Sequence, residues 1–160
     1  MVNRAASVRL LRELVPGCTS SSLPTRHGSL LGVARLVEAI HLSPGPDIPA
    51  DTLEEVIHLV PKLDKARLFR GRGGEALREA ACVSIAAISQ LSAKIPLKLQ
   101  VTLVEHLNEN LRQPHASVQG AAAAALRRFL FACFGAGGAP SDRLQALCVE
   151  KYLQVRKRRN

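Results

Sequence analysis

The segment "FRGRGGEALREA", from Phe69 to Ala80, contains residue types that could bind a phosphate group. Glycines before a helix could aim backbone N–H groups at an anion, and nearby arginines could neutralise its charge. However, no Lys-Ser/Thr pair follows the last glycine, G-x-G-x-x-G is not matched, and the preceding residues do not read as a buried strand. Glu75 at the helix start would also compete with an anion for the helix dipole. The pattern therefore disfavours a nucleotide site.

The same segment carries an Arg-Gly pattern that RNA-binding tails contain in many copies. Here there is one copy between two helical runs, and it lacks the interleaved aromatic platforms on which bases stack. The favoured interpretation is structural, because Gly71, Gly73 and Gly74 allow a tight turn and a close approach of backbones. Arg70 and Arg72 are then candidate partner contacts, or they brace the turn by donating hydrogen bonds to carbonyl groups at a helix end.

The other chemistry-bearing residues form no recognisable catalytic or metal-binding pattern. The five histidines are dispersed without an HxxxH pair, and no serine lies in G-x-S-x-G. We predict that His58 and His106 lie on helix surfaces or at helix boundaries. We accordingly predict no catalytic residue, no cofactor, no bound metal and no small-molecule substrate, so that the protein is not an enzyme.

The composition indicates one helical domain with a core of small and aliphatic side chains. Of 160 residues, 47% are hydrophobic and only 3% are aromatic, which suits close helix packing better than a β-sandwich. The formal net charge of +9 would suit an acidic partner, whether a nucleic acid, an anionic membrane or an acidic protein surface. Part of this charge lies in "RKRR" (156–159), which we expect to be solvated, as we expect of Arg127 and Arg128 on a helix face.

The cysteines and the apolar segments bear on the cellular compartment. Cys18, Cys82, Cys133 and Cys148 form no CxxC pair and read as reduced thiols packed as small hydrophobic side chains. No signal peptide opens the chain, and no uncharged apolar run reaches about 18 residues. We therefore expect a soluble, cytoplasmic protein without a membrane span.

Helical runs separated by Pro and Gly would have to position all of these residues. The segment "HGSLLGVARLVEAIHL" predicts a helix that begins at His27, and Asp51 with Glu54 three residues later predicts a capping box. Apolar residues at helical spacing predict buried stripes on four helices: Leu30, Ala34, Val37 and Ile40; Leu77, Ala81, Ile85 and Ile88; Leu103, Leu107 and Leu111; and Val118, Ala122, Leu126 and Phe129. A last helix is predicted over "RLQALCVEKYLQV" (143–155), and no segment predicts a strand.

Two of these helices are similar to each other at a fixed spacing. An offset of 41 residues aligns "EAACVSIAAI" (79–88) with "GAAAAALRRF" (120–129). This offset lies within the range of roughly 40 to 47 residues that is typical of HEAT and armadillo repeats. We therefore predict an all-α fold, an α-solenoid of HEAT/armadillo-like helical repeats over residues 1–153, followed by a disordered basic tail at 154–160.

Three segments together resemble one known family. "RHGSLLGVARLVEAI", "LDKARLFRGRGGEALREAACVSIAAIS" and "SVQGAAAAALRRFLFACF" follow one another as in the central region of tubulin-folding cofactor D. The residues that match the family's His-Gly-x-Leu-Leu helix and Arg-Gly-x-Gly-Gly turn are His27, Gly28, Leu30, Leu31, Arg70, Gly71, Gly73, Gly74, Arg78, Ala80 and Cys82. The resemblance covers roughly residues 23–153. Because members of the family are many times longer, we expect this chain to be a segment of a larger solenoid.

The resemblance implies a cytosolic, cytoskeleton-associated helical-repeat protein that binds β-tubulin. Such proteins cooperate with tubulin cofactors C and E and a small Arf-like GTPase. They assemble or take apart the αβ-tubulin heterodimer, and with their partners they stimulate GTP hydrolysis by tubulin. We expect the motif residues to be mainly structural and expect no nucleic-acid partner. The alternatives are a generic HEAT-repeat scaffold, such as a nuclear transport receptor or chromatin adaptor, and a nucleic-acid binder that acts through the basic tail.

Overall fold

The computed structural model describes residues 3–45 and 47–134, and of Phe134 only the backbone. Within these residues the α-helices are α1 (Arg4–Leu14), α2 (Leu23–Leu42), α3 (Ala50–Ile57), α4 (Leu59–Lys65), α5 (Gly74–Ile88), α6 (Leu97–Asn110) and α7 (Ala116–Phe134). Two 3-10 helices, Val15–Thr19 and Ser89–Lys94, continue from α1 and α5. The described part of the chain contains no strand, so the all-α prediction is confirmed. The helix predicted at 143–155, Cys148 and the basic tail at 154–160 lie outside the described residues.

Helix α2 begins at Leu23, four residues before the predicted start at His27. The hydroxyl oxygen of Ser22 accepts a hydrogen bond from the backbone N–H of Thr25 at 3.4 Å, and it therefore acts as the N-cap. Pro24 fits the first turn because an N–H there has no partner within the helix. Residues 23–26, which precede the predicted start, therefore form the first turn of α2.

The capping box predicted at Asp51 is wrong. Helix α3 begins one residue earlier, at Ala50, and its N-cap Pro49 has no side chain that accepts a hydrogen bond. The Asp51 carboxylate instead accepts a hydrogen bond from the N–H of Thr52 at 2.8 Å. It also pairs with Arg12 of α1 at 3.2 Å. A carboxylate in the first turn still interacts favourably with the helix dipole, but its hydrogen-bond partner is not the one that the spacing predicted.

Helices α2, α5 and α7 form a layer in which α5 packs between the other two. The starts of α2 and α5 lie together, because Gly73 packs against Leu23. The later parts of α2 and α7 also lie together, because Arg128 pairs with Glu38. The three helices therefore run in the same direction. Helix α1 packs against α2, and α6 packs against α7, so each of these two layer helices is backed by the helix that precedes it in the chain.

The predicted apolar stripes form the core. On α2, α5 and α7 every predicted stripe residue is buried, and on α6 two of the three are buried while Leu111 is only partly so. Three of the pairs aligned at the offset of 41 residues are buried on both helices: Ala81 and Ala122, Ile85 and Leu126, and Ile88 and Phe129. The other pairs differ, because α5 is buried on more than one side: Ala80 is buried and Ala121 only partly so, and the counterparts of the buried Cys82, Ala86 and Ala87 are exposed on α7. Small side chains early in α5 and α7 allow these helices to approach closely.

Glu38 connects α2 to α7 across the layer. Its side chain is only 18% exposed, and it accepts hydrogen bonds from Arg128 at 2.9 Å and from Arg35 at 3.0 Å. Partial burial raises the pKa of this carboxyl, but the hydrogen bonds and charges of the two arginines outweigh that effect and lower the pKa below its ordinary value. Glu38 is therefore held as a carboxylate that joins two helices.

Replacing Arg128 by Ala is expected to lower the free energy of unfolding by about 0.5 to 1 kcal/mol, because Glu38 loses its partner on α7 while it stays partly buried. Arg127→Ala is the matched control, since Arg127 is exposed and its replacement removes the same charge. Urea unfolding of both variants at neutral pH measures the difference. Equal stabilities of the two variants would contradict a structural role for the pair.

Two further sequence expectations bear on the described helices. None of them is long and apolar enough to cross a membrane. The thiols of Cys18 and Cys82 are buried, and burial raises the pKa of each to about 11. A thiol with such a pKa is a poor nucleophile at neutral pH, so these two cysteines act as small core side chains.

Candidate functional site

Phe69 anchors the turn between α4 and α5. Its side chain is only 3% exposed. The His106 ring of α6 lies 5.0 Å away, centroid to centroid, at an interplanar angle of 47°. The guanidinium carbon of Arg78 lies over the Phe69 ring, 5.6 Å from its centroid. These contacts with an aromatic ring and a cation fix the turn against the helices on either side of it.

Arg78 is partly buried, and its guanidinium belongs to a polar network within the fold. Its Nη1 donates a hydrogen bond to Oδ1 of Asn110 at 2.7 Å. Asn110 is completely buried, and its Nδ2 donates to the Cys82 sulfur at 3.5 Å. Because a buried amide must have hydrogen-bond partners, Arg78 and Cys82 account for both ends of the Asn110 side chain. The fold thus brings Asn110 of α6 to Arg78 and Cys82, which lie four residues apart on α5.

Each glycine of the turn has its own structural reason. Gly73 has φ 78° and ψ 7°, the values of the third residue of a type II turn, and a Cβ there would lie 2.2 Å from Leu23 Cδ2. A Cβ on Gly74 would lie 2.4 Å from the Phe69 carbonyl oxygen. Gly71 has open space around it, but its φ of 84° is one that L residues rarely adopt. The geometry agrees with the architectural interpretation of these glycines.

Arg67 adopts a backbone conformation that the sequence did not reveal. Its φ is 57°, in the left-handed region, and it follows the end of α4. Its N–H donates to the carbonyl of Asp64 at 2.8 Å, and the N–H of Leu68 donates to the carbonyl of Leu63 at 3.1 Å. These two bonds form a Schellman motif, in which this position is usually glycine. The chain keeps an arginine there although glycine would fit with less strain.

Replacing Arg67 by Gly is expected to raise the free energy of unfolding by about 0.5 to 1 kcal/mol, because the strain of a left-handed L residue disappears. Arg70→Gly is the matched control, since Arg70 does not have a positive φ, and it should lower stability by about the same amount. Thermal unfolding of both variants provides the comparison. Destabilisation by Arg67→Gly would mean that the arginine side chain stabilises the helix end.

Arg70 and Arg72 are exposed, and neither side chain donates a hydrogen bond or forms an ion pair within residues 3–45 and 47–134. The bracing role that the sequence left open for them has no hydrogen bond to support it here. Arg72 is the second residue of the turn that the Gly74 N–H closes by donating to the Gly71 carbonyl at 3.1 Å. Both side chains are therefore exposed and unpaired within the described residues.

The second half of the family motif lies at the same end of the molecule. Leu23, which packs against Gly73, begins α2, and His27 lies one helical turn after it. His27 is half-buried and Gly28 is exposed. A Cβ on Gly28 would meet no atom within 4 Å. The fold therefore brings the two motif segments together, but it gives no packing reason for glycine at position 28.

His106 is not the surface or boundary residue that the sequence predicted, because it is only 6% exposed. Its Nε2 is buried without a hydrogen-bond partner among the described atoms. Burial lowers the pKa of the imidazole to about 4; the nearby Asp64 opposes this shift and Arg78 adds to it. The ring is therefore neutral at physiological pH. The sequence did not predict its contact with Phe69.

The clefts in the described part of the molecule include one beside His106 and one beside Asp47. One, of about 150 Å³, is lined in part by His106, Asp64 and Glu109. The other, of about 250 Å³, contains Asp47, which pairs with Arg4 at 3.4 Å and with Lys94 at 3.1 Å. Within residues 3–45 and 47–134, no group of three or more His, Cys, Asp or Glu side chains is placed to hold a metal ion.

Comparison of the sequence with protein-family profiles and with curated proteins, and of the fold with solved structures, gives no match. The family suggested by the motif residues is therefore not supported by an independent relative. Any function assigned to this chain rests on its own residues and on the geometry of the helical layer and the turn.

Proposed function

We propose that this chain is a segment of an α-solenoid of HEAT/armadillo-like repeats and that it serves as a protein-binding scaffold. The observation that carries the proposal is the layer of parallel helices α2, α5 and α7, in which Ala81, Ile85 and Ile88 of α5 and their counterparts 41 residues later on α7 are buried. Helices that stack on their neighbours and are backed by the preceding helix are what repeat proteins use to build extended binding surfaces. This role needs no catalytic residue, and it fits the structural use of Arg78 and of the turn glycines.

We further propose β-tubulin as the partner, in the manner of tubulin-folding cofactor D. The support is the motif resemblance at His27, Gly28 and residues 70–74, together with the net charge of +9. A basic scaffold would attract the acidic surface of tubulin and accelerate encounter at low ionic strength. In this proposal the chain acts in the cytoplasm with other tubulin-folding cofactors and a small Arf-like GTPase. Stimulation of GTP hydrolysis would require the assembled complex.

Binding of the whole chain to purified β-tubulin, released from the αβ heterodimer or newly folded, tests this proposal. We expect capture of β-tubulin by the immobilised chain, weakening as salt is raised, because surface charge pairs are screened. An unrelated acidic protein of similar net charge is the control for attraction by charge alone. Equal capture of β-tubulin and of this control would leave a generic helical scaffold as the function and would contradict the tubulin assignment.

A further inference from the structure

We propose that the side chains of Arg67, Arg70 and Arg72, here called the arginine surface, form a docking site for an acidic segment of a protein partner. The proposal deepens the scaffold function, because it gives one place on the scaffold and one chemistry for the contact. It depends on the geometry of the α4–α5 turn and not on the identity of the partner.

The first observation is that the arginine surface is unpaired. All three side chains are exposed and make no hydrogen bond or ion pair within the described ranges of the chain. Most other arginines in these ranges donate from the guanidinium to an acceptor of the fold: Arg4, Arg12, Arg26, Arg35, Arg78 and Arg128. Arg9, Arg112 and Arg127 are also exposed and unpaired, but they are far apart in the chain, on α1, after the end of α6 and on α7. Within residues 3–45 and 47–134, only the α4–α5 turn gathers three such arginines within six residues.

The second observation is that the backbone beneath the arginine surface is fixed. The Arg70 N–H donates to the Arg67 carbonyl at 3.2 Å, and the next turn closes from Gly74 to Gly71. Phe69, between the first two arginines, is buried against His106 and Arg78. A rigid backbone lowers the ordering cost of binding. Arg67 also adds a strained, left-handed backbone position to this turn, a feature that clusters at binding sites.

The third observation is the local electrostatic field. Residues 62–75 contain five cationic side chains and two carboxylates. One of the two carboxylates, Asp64, lies close enough to His106 to affect its pKa. The N-termini of α2 and α5 meet beside the turn through Leu23 and Gly73. Their dipoles add positive potential at this end of the molecule. The surroundings therefore reinforce the charge of the arginines and do not neutralise it.

An acidic protein segment fits this surface better than a nucleic acid. Guanidinium groups bind carboxylates through paired hydrogen bonds in a plane. Single-stranded nucleic acids, by contrast, are held by aromatic side chains on which bases stack. The aromatic ring in the turn, Phe69, is buried, and the exposed Phe131 lies in the last turn of α7, at the other end of the layer.

The test is a fluorescence anisotropy titration of the whole chain with a labelled deca-glutamate peptide at low salt. Arg67→Gln/Arg70→Gln/Arg72→Gln removes the arginine surface. Arg9→Gln/Lys98→Gln/Arg127→Gln is the matched control, because it removes the same charge from exposed side chains elsewhere. We expect the first variant to bind at least about tenfold more weakly than the parent chain and the control to change by less than about twofold. Circular dichroism verifies that both variants are folded.

Three results would overturn the proposal. They are equal weakening in the two variants, no binding of the peptide by the parent chain at low salt, and tighter binding of an oligothymidylate than of the peptide through the same three arginines. This assay contains no tubulin, so it separates the two proposals. A chain that binds the peptide through the arginine surface but does not capture β-tubulin keeps this inference and loses the tubulin assignment.

Discussion

Gly74→Ala is expected to lower the free energy of unfolding by about 2 to 3 kcal/mol, the upper part of the range for overpacking a close contact. The added Cβ would lie 2.4 Å from the Phe69 carbonyl oxygen and 3.0 Å from its carbonyl carbon. These are backbone atoms, and they are held in place because the Phe69 side chain is packed against His106 and Arg78. The clash therefore cannot be relieved by rotating a side chain. Urea unfolding followed by far-UV circular dichroism measures the loss.

Gly28→Ala is the control for the effect of adding a methyl group to a helical glycine. Gly28 is exposed within α2, and a Cβ there would meet no atom within 4 Å. We expect this variant to gain about 0.5 to 1 kcal/mol of stability, because Ala has less backbone entropy to lose than Gly. A stability of Gly74→Ala within about 0.5 kcal/mol of the parent chain would contradict the tight contact between the helix start and Phe69.

The Gly28→Ala variant also distinguishes an effect on the stability of the chain from an effect on the proposed binding to a partner. The fold gives no packing reason for glycine here, although the position lies in the His-Gly-x-Leu-Leu segment on which the proposed resemblance to tubulin-folding cofactor D depends. If a partner approaches α2 closely at this position, Gly28→Ala should stabilise the chain and weaken binding to β-tubulin. The Gly74 variant would instead lose stability and binding together. We therefore expect Gly28 to affect binding and Gly74 to affect the stability of the fold.

The apolar periodicity was sufficient to predict the buried stripes of α2, α5 and α7. Leu77, Ile85 and Ile88 lie on one face of α5 at helical spacing, and all three are buried. This succeeds because a helix in a layer must bury one stripe, and the spacing of that stripe is a local property of the sequence. The glycine turn was predicted for the same reason, since positive φ values and close backbone contacts require glycine locally.

The helix ends and the surroundings of the polar residues could not be predicted in this way. Asp51 has the right type for an N-cap, but Pro49 and the contact with Arg12 decide where α3 begins. Arg67 has a positive φ that no residue preference indicates. His106 is buried because α6 packs against the turn that carries Phe69, and that contact joins residues 37 positions apart (69 to 106). Long-range packing, and not local spacing, determines each of these outcomes.

The free energy of unfolding is expected to fall by about 2.5 kcal/mol between about pH 7.5 and about pH 4.5 because of His106 alone. The imidazole pKa is lowered from 6.5 to about 4 by burial, so the folded protein resists protonation that the unfolded chain accepts. The stabilisation is complete above pH 6.5 and is lost as the pH falls toward 4. Asp64 of α4 favours the protonated ring, whereas Arg78 of α5 and the burial against Phe69 oppose it. Urea unfolding at a series of pH values measures the slope.

His106→Leu provides the decisive comparison, because Leu fills a buried position without a titrating group. Its stability at neutral pH can differ from that of the parent chain in either direction, since Leu removes the unpaired Nε2 and also the ring contact with Phe69. The pH dependence of the free energy of unfolding can still be compared, because it does not depend on this difference in stability at neutral pH. Between pH 4.5 and 6.5 the variant should lose about 2 kcal/mol less than the parent chain. His106→Asn, with a neutral polar side chain, serves if the Leu variant does not fold. Identical slopes in parent and variant would show that His106 titrates as an exposed histidine and that α6 does not bury it against the turn.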